Sequence, residues 1–389
     1  MQNSAWPLLG VALTAAAAQP AAAQDCLYIL TRLNGAVTVV DRSSDQVVAT
    51  IALPNCPQPQ CQPTGLALSS DSMRAYVPRL DSGNVNVLDP LNNMVIDTVS
   101  VGNAPSAVAL TPDGSKAYVA NLASDSVSVI DTSSNAVAGT ITVGNQPRAV
   151  AVTPDGAKVL VCNGGDSSVS VIRTADDTVT KTIDVGSQPA GVAVTPDGAH
   201  AYVSNGNGSS VSVIDIANLM ATGTITVGHS PRGIALTPNG ASAYVTNVLD
   251  GTVSVIDTAA GSAGDPIGVG NGPVAVTITD DGATAYVANL ASDTISVIDT
   301  ATRGVTSIAG HGSPFDLALG SCPAVTSTCV GDCSGDGHVL VNELITGVNI
   351  ALGNQPVSAC PAFDADHSGM VEINELIAAV NNALNGCPA

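Results

Sequence analysis

The chain has 389 residues, room for one large domain and a small one, and sets 11 Lys and Arg against 32 Asp and Glu for a formal charge of −21. Lys and Arg supply the sequence-independent attraction to nucleic acid and anionic lipid, so such a polyanion is not expected to bind either. Aromatic residues make up 2% and the one tryptophan is Trp6, which leaves few flat rings on which a sugar could stack.

In chain order, residues 1–23 come first and have the form of an export signal. Trp6–Ala18 is apolar, and Ala21-Ala22-Ala23 supplies small residues for cleavage before Gln24. No later apolar run approaches the ~18 residues of a membrane span. The expected location is secreted, periplasmic or cell-surface.

Residues 24–322 are copies of one unit, seen most cleanly in Val101–Thr142. At a spacing of 42 the proline of VGxxP recurs at Pro63, Pro105, Pro147, Pro189, Pro231 and Pro273, then one residue early at Pro314. Tyrosine recurs at Tyr28, Tyr76, Tyr118, Tyr202, Tyr244 and Tyr286, with Leu160 in the remaining slot. Each unit holds four short runs of strand character. In the cleanest unit these are Ala107–Thr111, Ala117–Ala120, Ser126–Ile130 and Ala136–Val143, the first two joined by the turn Thr111-Pro112-Asp113-Gly114. A four-stranded antiparallel sheet every 42 residues is a propeller blade, and period-2 patterning excludes helical solenoids. The ends of the third strands, Asp41, Asp89, Asp131, Arg173, Asp215, Asp257 and Asp299, number seven. The predicted fold is therefore all-β: a seven-bladed β-propeller closed by both termini, plus a small α-helical domain after it.

The ends of the repeat carry their own prediction. The chain enters on a second strand (Leu27–Leu30) and leaves on a first strand (Phe315–Leu319), so one blade is assembled from both ends. In repeat coordinates Cys26 and Cys322 flank one tight turn, close enough for a disulfide. Cys56 and Cys61 bracket an inserted Pro57-Gln58-Pro59-Gln60 and are expected to pair, while Cys162, inside a second strand, is expected to be an inert buried thiol.

Tyr244-Val245-Thr246-Asn247 spells YVTN, and the unit VGxxPxAVAVTPDGxxAYVxNxxSxxVSVIDT resembles the YVTN-type β-propeller family over roughly Leu27 to Leu319. The resemblance implies a seven-bladed extracytoplasmic propeller and brings no catalytic set with it.

Polar residues present in every unit have architectural explanations. Asp113, Asp155 and Asp197 belong to turns, Asp131, Asp215, Asp257 and Asp299 to the next hairpin, and Asn121, Asn163, Asn205, Asn247 and Asn289 are expected to cap loops. An active site needs asymmetry, so the departures matter more. After the repeat proline stand Thr64, Ser106, Arg148, Ala190, Arg232, Val274 and Phe315, at the mouth of the predicted channel. Arg148 and Arg232 suit a small anionic ligand, since a guanidinium forks onto carboxylate or phosphate. His229 and His311 fall on the same rim. No CxxCH is present, which excludes covalently attached c-type haem, and HExxH, GxSxG and a suitably placed GxGxxG are missing. The expected function is an exported, non-catalytic binding scaffold. The alternative is a lactonase-like or quinoprotein-like enzyme with its site at the channel mouth.

A linker at 323–328 leads to a second module, 329–389, which contains no Lys or Arg. Two stretches fit the calcium-loop template D-x-[DNS]-x-[DNS]-G-x5-E: Asp332, Ser334, Asp336, His338 and Glu343, then Asp364, Asp366, Ser368, Met370 and Glu375. Positions 1, 3, 5 and 12 converge on one cation and position 7 offers a carbonyl, so two Ca2+ sites are expected. Each loop is followed by a near-copy helix (NELITGVNIAL, NELIAAVNNAL) and lacks an entering one. This duplicated loop–helix unit resembles a dockerin-like module, which implies a protein partner and, as a second alternative, cohesin-type assembly. Val341-Asn342 and Ile373-Asn374 stand where cellulosomal dockerins carry a Ser/Thr recognition pair. Cys329, Cys333, Cys360 and Cys387 allow three pairings.

Overall fold

The computed structural model describes residues 25–56, 61–90, 92–322, 330–333, 339–360, 363, 370–371 and 373–385. The expected export signal and the linker lie outside them. Between residues 25 and 322 the chain forms seven antiparallel sheets, which are the blades of the propeller. Blade 3 shows the design with Pro105–Leu110, Lys116–Asn121, Ser126–Asp131 and Ala136–Thr142.

Burial varies across each blade and explains the side chains used. The second and third strands of blade 3 are buried along nearly their whole length, because neighbouring blades cover both faces. The fourth strand exposes all but Gly139 and Ile141 to some degree, and of these only Ile141 is buried, at 8% exposure. The core accordingly lies between sheets: Tyr118, Val127 and Val129 of blade 3 pack on Val159, Val161 and Ile172 of blade 4. Full burial of one such side chain contributes about 1.5–3 kcal/mol.

The polar repeat residues tie the turns together. Asp113 Oδ1 accepts bonds from the Thr111 hydroxyl at 2.5 Å and the Ser115 N–H at 3.0 Å, while Gly114 takes φ +69°. Asp131 Oδ1 accepts the Ser133 and Ser134 N–H groups, each at 3.0 Å. The asparagines differ from the expected loop caps. Asn121 is fully buried, and its Nδ2 reaches across to Ser126 Oγ (3.3 Å) and Ser128 Oγ (3.0 Å) of the third strand. That buried amide also explains the glycine of VGxxP, since a Cβ on Gly102 would lie 2.7 Å from the Asn121 side chain. The arrangement recurs at Asn163, Asn205, Asn247 and Asn289.

Blade 1 is built from both ends of the repeat region, with Pro314–Ser321 paired to Asp25–Thr31 in the register Tyr28↔Ala318. A disulfide joins Cys26 to Cys322 with Cα atoms 5.1 Å apart. The blade seals the ring on both sides. Leu27, Ile29, Phe315 and Leu317 pack on Val274 and Tyr286 of blade 7, while Tyr28 and Leu30 share a core with Leu66, Ala75 and Val77 of blade 2. Cys56 and Cys61 are also bonded, and Cys162 is a buried free thiol.

Helices α1 (Val341–Ala351) and α2 (Ile373–Asn385) form the C-terminal module around the fully buried Phe363. Gly347 must lack a side chain, because a Cβ there would stand 2.2 Å from the Phe363 ring. Cys333 is bonded to Cys360, which only one of the three possible pairings contains. No helix among the described residues is long and apolar enough to cross a membrane.

Candidate active site at the channel mouth

All seven innermost strands contribute to one axial channel. Its cavity measures about 240 Å3 and is lined by the residue after each repeat proline and those that follow. A second cavity of about 360 Å3 forms the mouth and shares Thr64, Ser106, Arg148, Ala190, Arg232 and Phe315 with the first. The two arginines named from the sequence therefore meet where mouth and channel join. Thr64 and Ser106, at the same register, turn their hydroxyls into the wall, donating to the carbonyls of Pro105 and Pro147 at 2.8 Å.

Arg148 has few partners. Its Nη2 donates to Gln146 Oε1 at a long 3.4 Å, and its buried Nε has no hydrogen-bond partner. Room for the side chain comes from Gly164, which stands where blade 3 has Leu122. Arg232 lies 4.6 Å from the centroid of the Phe315 ring, and Arg32 joins it at 3.6 Å. Neither Arg148 nor Arg232 makes a salt bridge among the described residues. Burial depresses the pKa of both Arg32, to about 10, and Arg232; Asp316 opposes the shift at Arg232, while Arg148 adds to it and Arg232 in turn lowers Arg32. A mouth holding arginines without a salt bridge among the described residues, in a chain of charge −21, is suited to an anion.

Asp316 is the acidic member of the site and was not singled out from the sequence. Its place in the other six blades is held by Gly65, Ala107, Ala149, Gly191, Gly233 and Ala275, so a visible break in the repeat marked it. Asp316 Oδ2 accepts the Leu66 N–H and Oδ1 its neighbour Leu317 N–H, both at 2.9 Å. It keeps some surface on the channel yet sits deep within the ring. Burial there pushes its pKa up to about 6, against the two N–H bonds and the field of Arg232. A carboxylate poised near 6 is suited to accept a proton at neutral pH.

The two rim histidines stand apart from both cavities. His229 Nδ1 meets Asp250 Oδ1 at 2.9 Å with its side chain 72% exposed, and the His311 carbonyl accepts Asn34 Nδ2 at 2.6 Å. In the C-terminal module Asp332, Glu343 and Glu375 are buried, and Met370 is exposed. Glu343 Oε2 accepts the Leu340 N–H at 2.8 Å. Ser334, Asp336, His338, Asp364, Asp366 and Ser368 lie outside the described residues.

A family model described as "Lactonase, 7-bladed beta-propeller" matches residues 20–184 and 171–264. No curated protein matches the chain. Among solved structures, hydrazine synthase of Kuenenia stuttgartiensis is similar at 25% identity and TM-score 0.64, over 71% of this chain and 92% of that one. A functionally unknown protein from Desulfotomaculum acetoxidans aligns at 16% identity and TM-score 0.66, covering 76% and 98%. A candidate 6-phosphogluconolactonase of Bacteroides fragilis aligns at 19% and 0.63, covering 77% and 98%. The last two likenesses speak for the fold alone. The family match corrects the expectation of a non-catalytic scaffold in favour of its lactonase-like alternative. That expectation leaned on the regularity of the ring, whereas the asymmetry a site requires was present at Asp316.

Proposed function

This chain belongs to the seven-bladed β-propeller lactonase family, and on that premise we propose that it is an exported lactone hydrolase working at the channel mouth on an anionic lactone. The observation that carries the reading is the meeting in one channel of Asp316, with its raised pKa, and two arginines that make no salt bridge among the described residues. Asp316 takes a proton from water as the water oxygen bonds to the lactone carbonyl. The acyl–oxygen bond then breaks, and the departing alkoxide is protonated to give the open hydroxy acid. Arg148 and Arg232 hold the substrate anion and offset charge on the carbonyl oxygen. The three disulfides among the described residues agree with an oxidising compartment.

The test is base uptake at constant pH with δ-gluconolactone and its 6-phosphate. Ring opening above the uncatalysed rate, faster for the phosphate and lost in Asp316→Asn, supports the proposal. No acceleration of either lactone, or an unchanged rate in Asp316→Asn, overturns it.

A second reading concerns the C-terminal module, to which we assign two Ca2+ ions and a protein partner. In its favour, Glu343 and Glu375, the twelfth residues of the two loops, are each only 4% exposed. Buried carboxylates call for cations or strong hydrogen bonds. The partner is suggested by matching exposed apolar stripes, Val341, Ile345 and Val348 on α1 with Leu352 at its C-cap, and Ile373, Ile377, Val380 and Leu384 on α2. Calorimetry of the whole protein should show about two Ca2+ bound, and none in Glu343→Ala with Glu375→Ala. Uptake unaffected by that double change would refute it.

A further inference from the structure

At the opposite end of the second strands from the channel mouth, neighbouring blades leave clefts walled by the repeat tyrosines. Most of these clefts are furnished with a cation. Arg42 Nε donates to the Tyr286 hydroxyl at 3.4 Å and lies 5.8 Å from that ring's centroid. Tyr118 donates to Asp177 Oδ1 at 2.6 Å, and Lys116 Nζ sits 2.8 Å from Asp177 Oδ2. The fields of Arg303 and Arg74 act on Tyr244 and Tyr76.

Neither Tyr28 nor Tyr202 has an Arg or Lys acting on it. The charged groups acting on Tyr202 are the carboxylates Asp197 and Asp257, His200 stands two residues before it at the register of Arg74 and Lys116, and the Tyr202 hydroxyl has no hydrogen-bond partner among the described residues. One difference lies at the residue 59 positions after the tyrosine. It is Asn135, Asp177 and Arg303 in the clefts of Tyr76, Tyr118 and Tyr244, but Gly261 here. Nothing lies within 4 Å of a Cβ built on Gly261. The space left between blades 5 and 6 is a cavity of about 660 Å3, lined by Asp197, His200, Tyr202, Thr224, Ile225 and Gly261 among others. Asp197 uses Oδ1 for its turn, accepting Thr195 Oγ1–H and the Ala199 N–H, and leaves Oδ2 without a partner among the described residues.

We propose that the cleft between blades 5 and 6 binds a small organic cation, an alkylguanidinium or alkylammonium, in the place that Arg303 fills in the cleft of Tyr244. The charged head lies by the Tyr202 ring and hydroxyl and the free oxygen of Asp197, an arrangement that combines cation–π and charge-assisted contacts. The alkyl part lies against Val213 and Ile225. This site does not depend on the lactonase reading, since it shares no residue with the channel.

The experiment is calorimetric titration of the full chain with n-butylguanidine and n-butylamine at low salt, with n-butanol as the neutral control. Saturable binding of the cations and none of butanol is expected. Gly261→Arg, which supplies the side chain found at Arg303, should weaken cation binding at least about tenfold. The position accepts side chains at its positive φ of 64°, for Asp177, Leu219 and Arg303 hold φ 54°, 51° and 61° there. Asp197→Asn provides a second variant with a built-in precedent, because Asn239 makes the same turn one blade later. Cations that bind no better than butanol, or that bind equally well to both variants, would overturn the assignment.

Discussion

A Cβ on Gly164 would stand 2.5 Å from Nε of Arg148. The arginine thus owes its position to a glycine sixteen residues away, on the loop after the second strand of the same blade. Replacing that glycine should move the guanidinium without removing it. Gly164→Ala is expected to raise KM for an anionic lactone several-fold with kcat little changed, and Arg148→Ala to raise it further. Loss of one charge-assisted contact is worth about 1.5–3 kcal/mol. Steady-state kinetics on both variants would check the ordering.

The rate should climb as pH rises through about 6, because Asp316 accepts a proton only when ionised and its pKa is raised to about 6. Asp316→Asn should remove this limb and lower kcat by roughly 10²–10⁴, the usual contribution of a general base. A pH–rate profile of both proteins gives the answer.

The same carboxylate has a stability consequence of opposite sign. Its folded pKa lies above the ordinary carboxylate value of 3.8. The folded state therefore holds the proton more tightly, and stability is fully present below 3.8 and lost as pH rises through about 6. At pH 7 the ionised group costs on the order of 2–3 kcal/mol. Asp316→Asn should accordingly melt higher than the parent at pH 7 and show little difference at pH 4. Thermal denaturation at the two pH values measures it.

Removing the bond between Cys26 and Cys322 releases a constraint spanning 296 residues. Cys26→Ser with Cys322→Ser is expected to cost about 2–5 kcal/mol, read as a lower denaturant midpoint. Cys162 should behave differently. Complete burial pushes its thiol far above the ordinary value, so thiol reagents should leave it unmodified until the ring unfolds.

The blades were readable because one unit is written seven times, and a register that repeats in sequence repeats in space. Even the split blade followed from counting, since Leu27 enters in the second-strand register and Phe315 leaves in the first. The site was only half legible. Arg148 and Arg232 stood out as cations in a chain with few of them. Asp316 passed unnoticed because one more carboxylate in so acidic a chain attracts no attention, although six small residues at its register gave it away. Its raised pKa arises from burial contributed by several blades at once, which no local stretch of sequence displays. The buried asparagines were misread for a related reason: an amide at a strand end looks like a loop cap until the opposing serines come into view.

The strand Asp25–Thr31 is made early and finds its partner Pro314–Ser321 only after six other blades have emerged. At 5–20 residues per second, the 296 residues between Cys26 and Cys322 take roughly 15 to 60 s to synthesise. For that interval the molecule is an open arc with one unpaired edge, and the channel whose lining holds both Arg148 and Asp316 does not exist. Completion of the last strand thus also completes the channel lining, and a chain truncated before Pro314 would carry both arginines without Asp316.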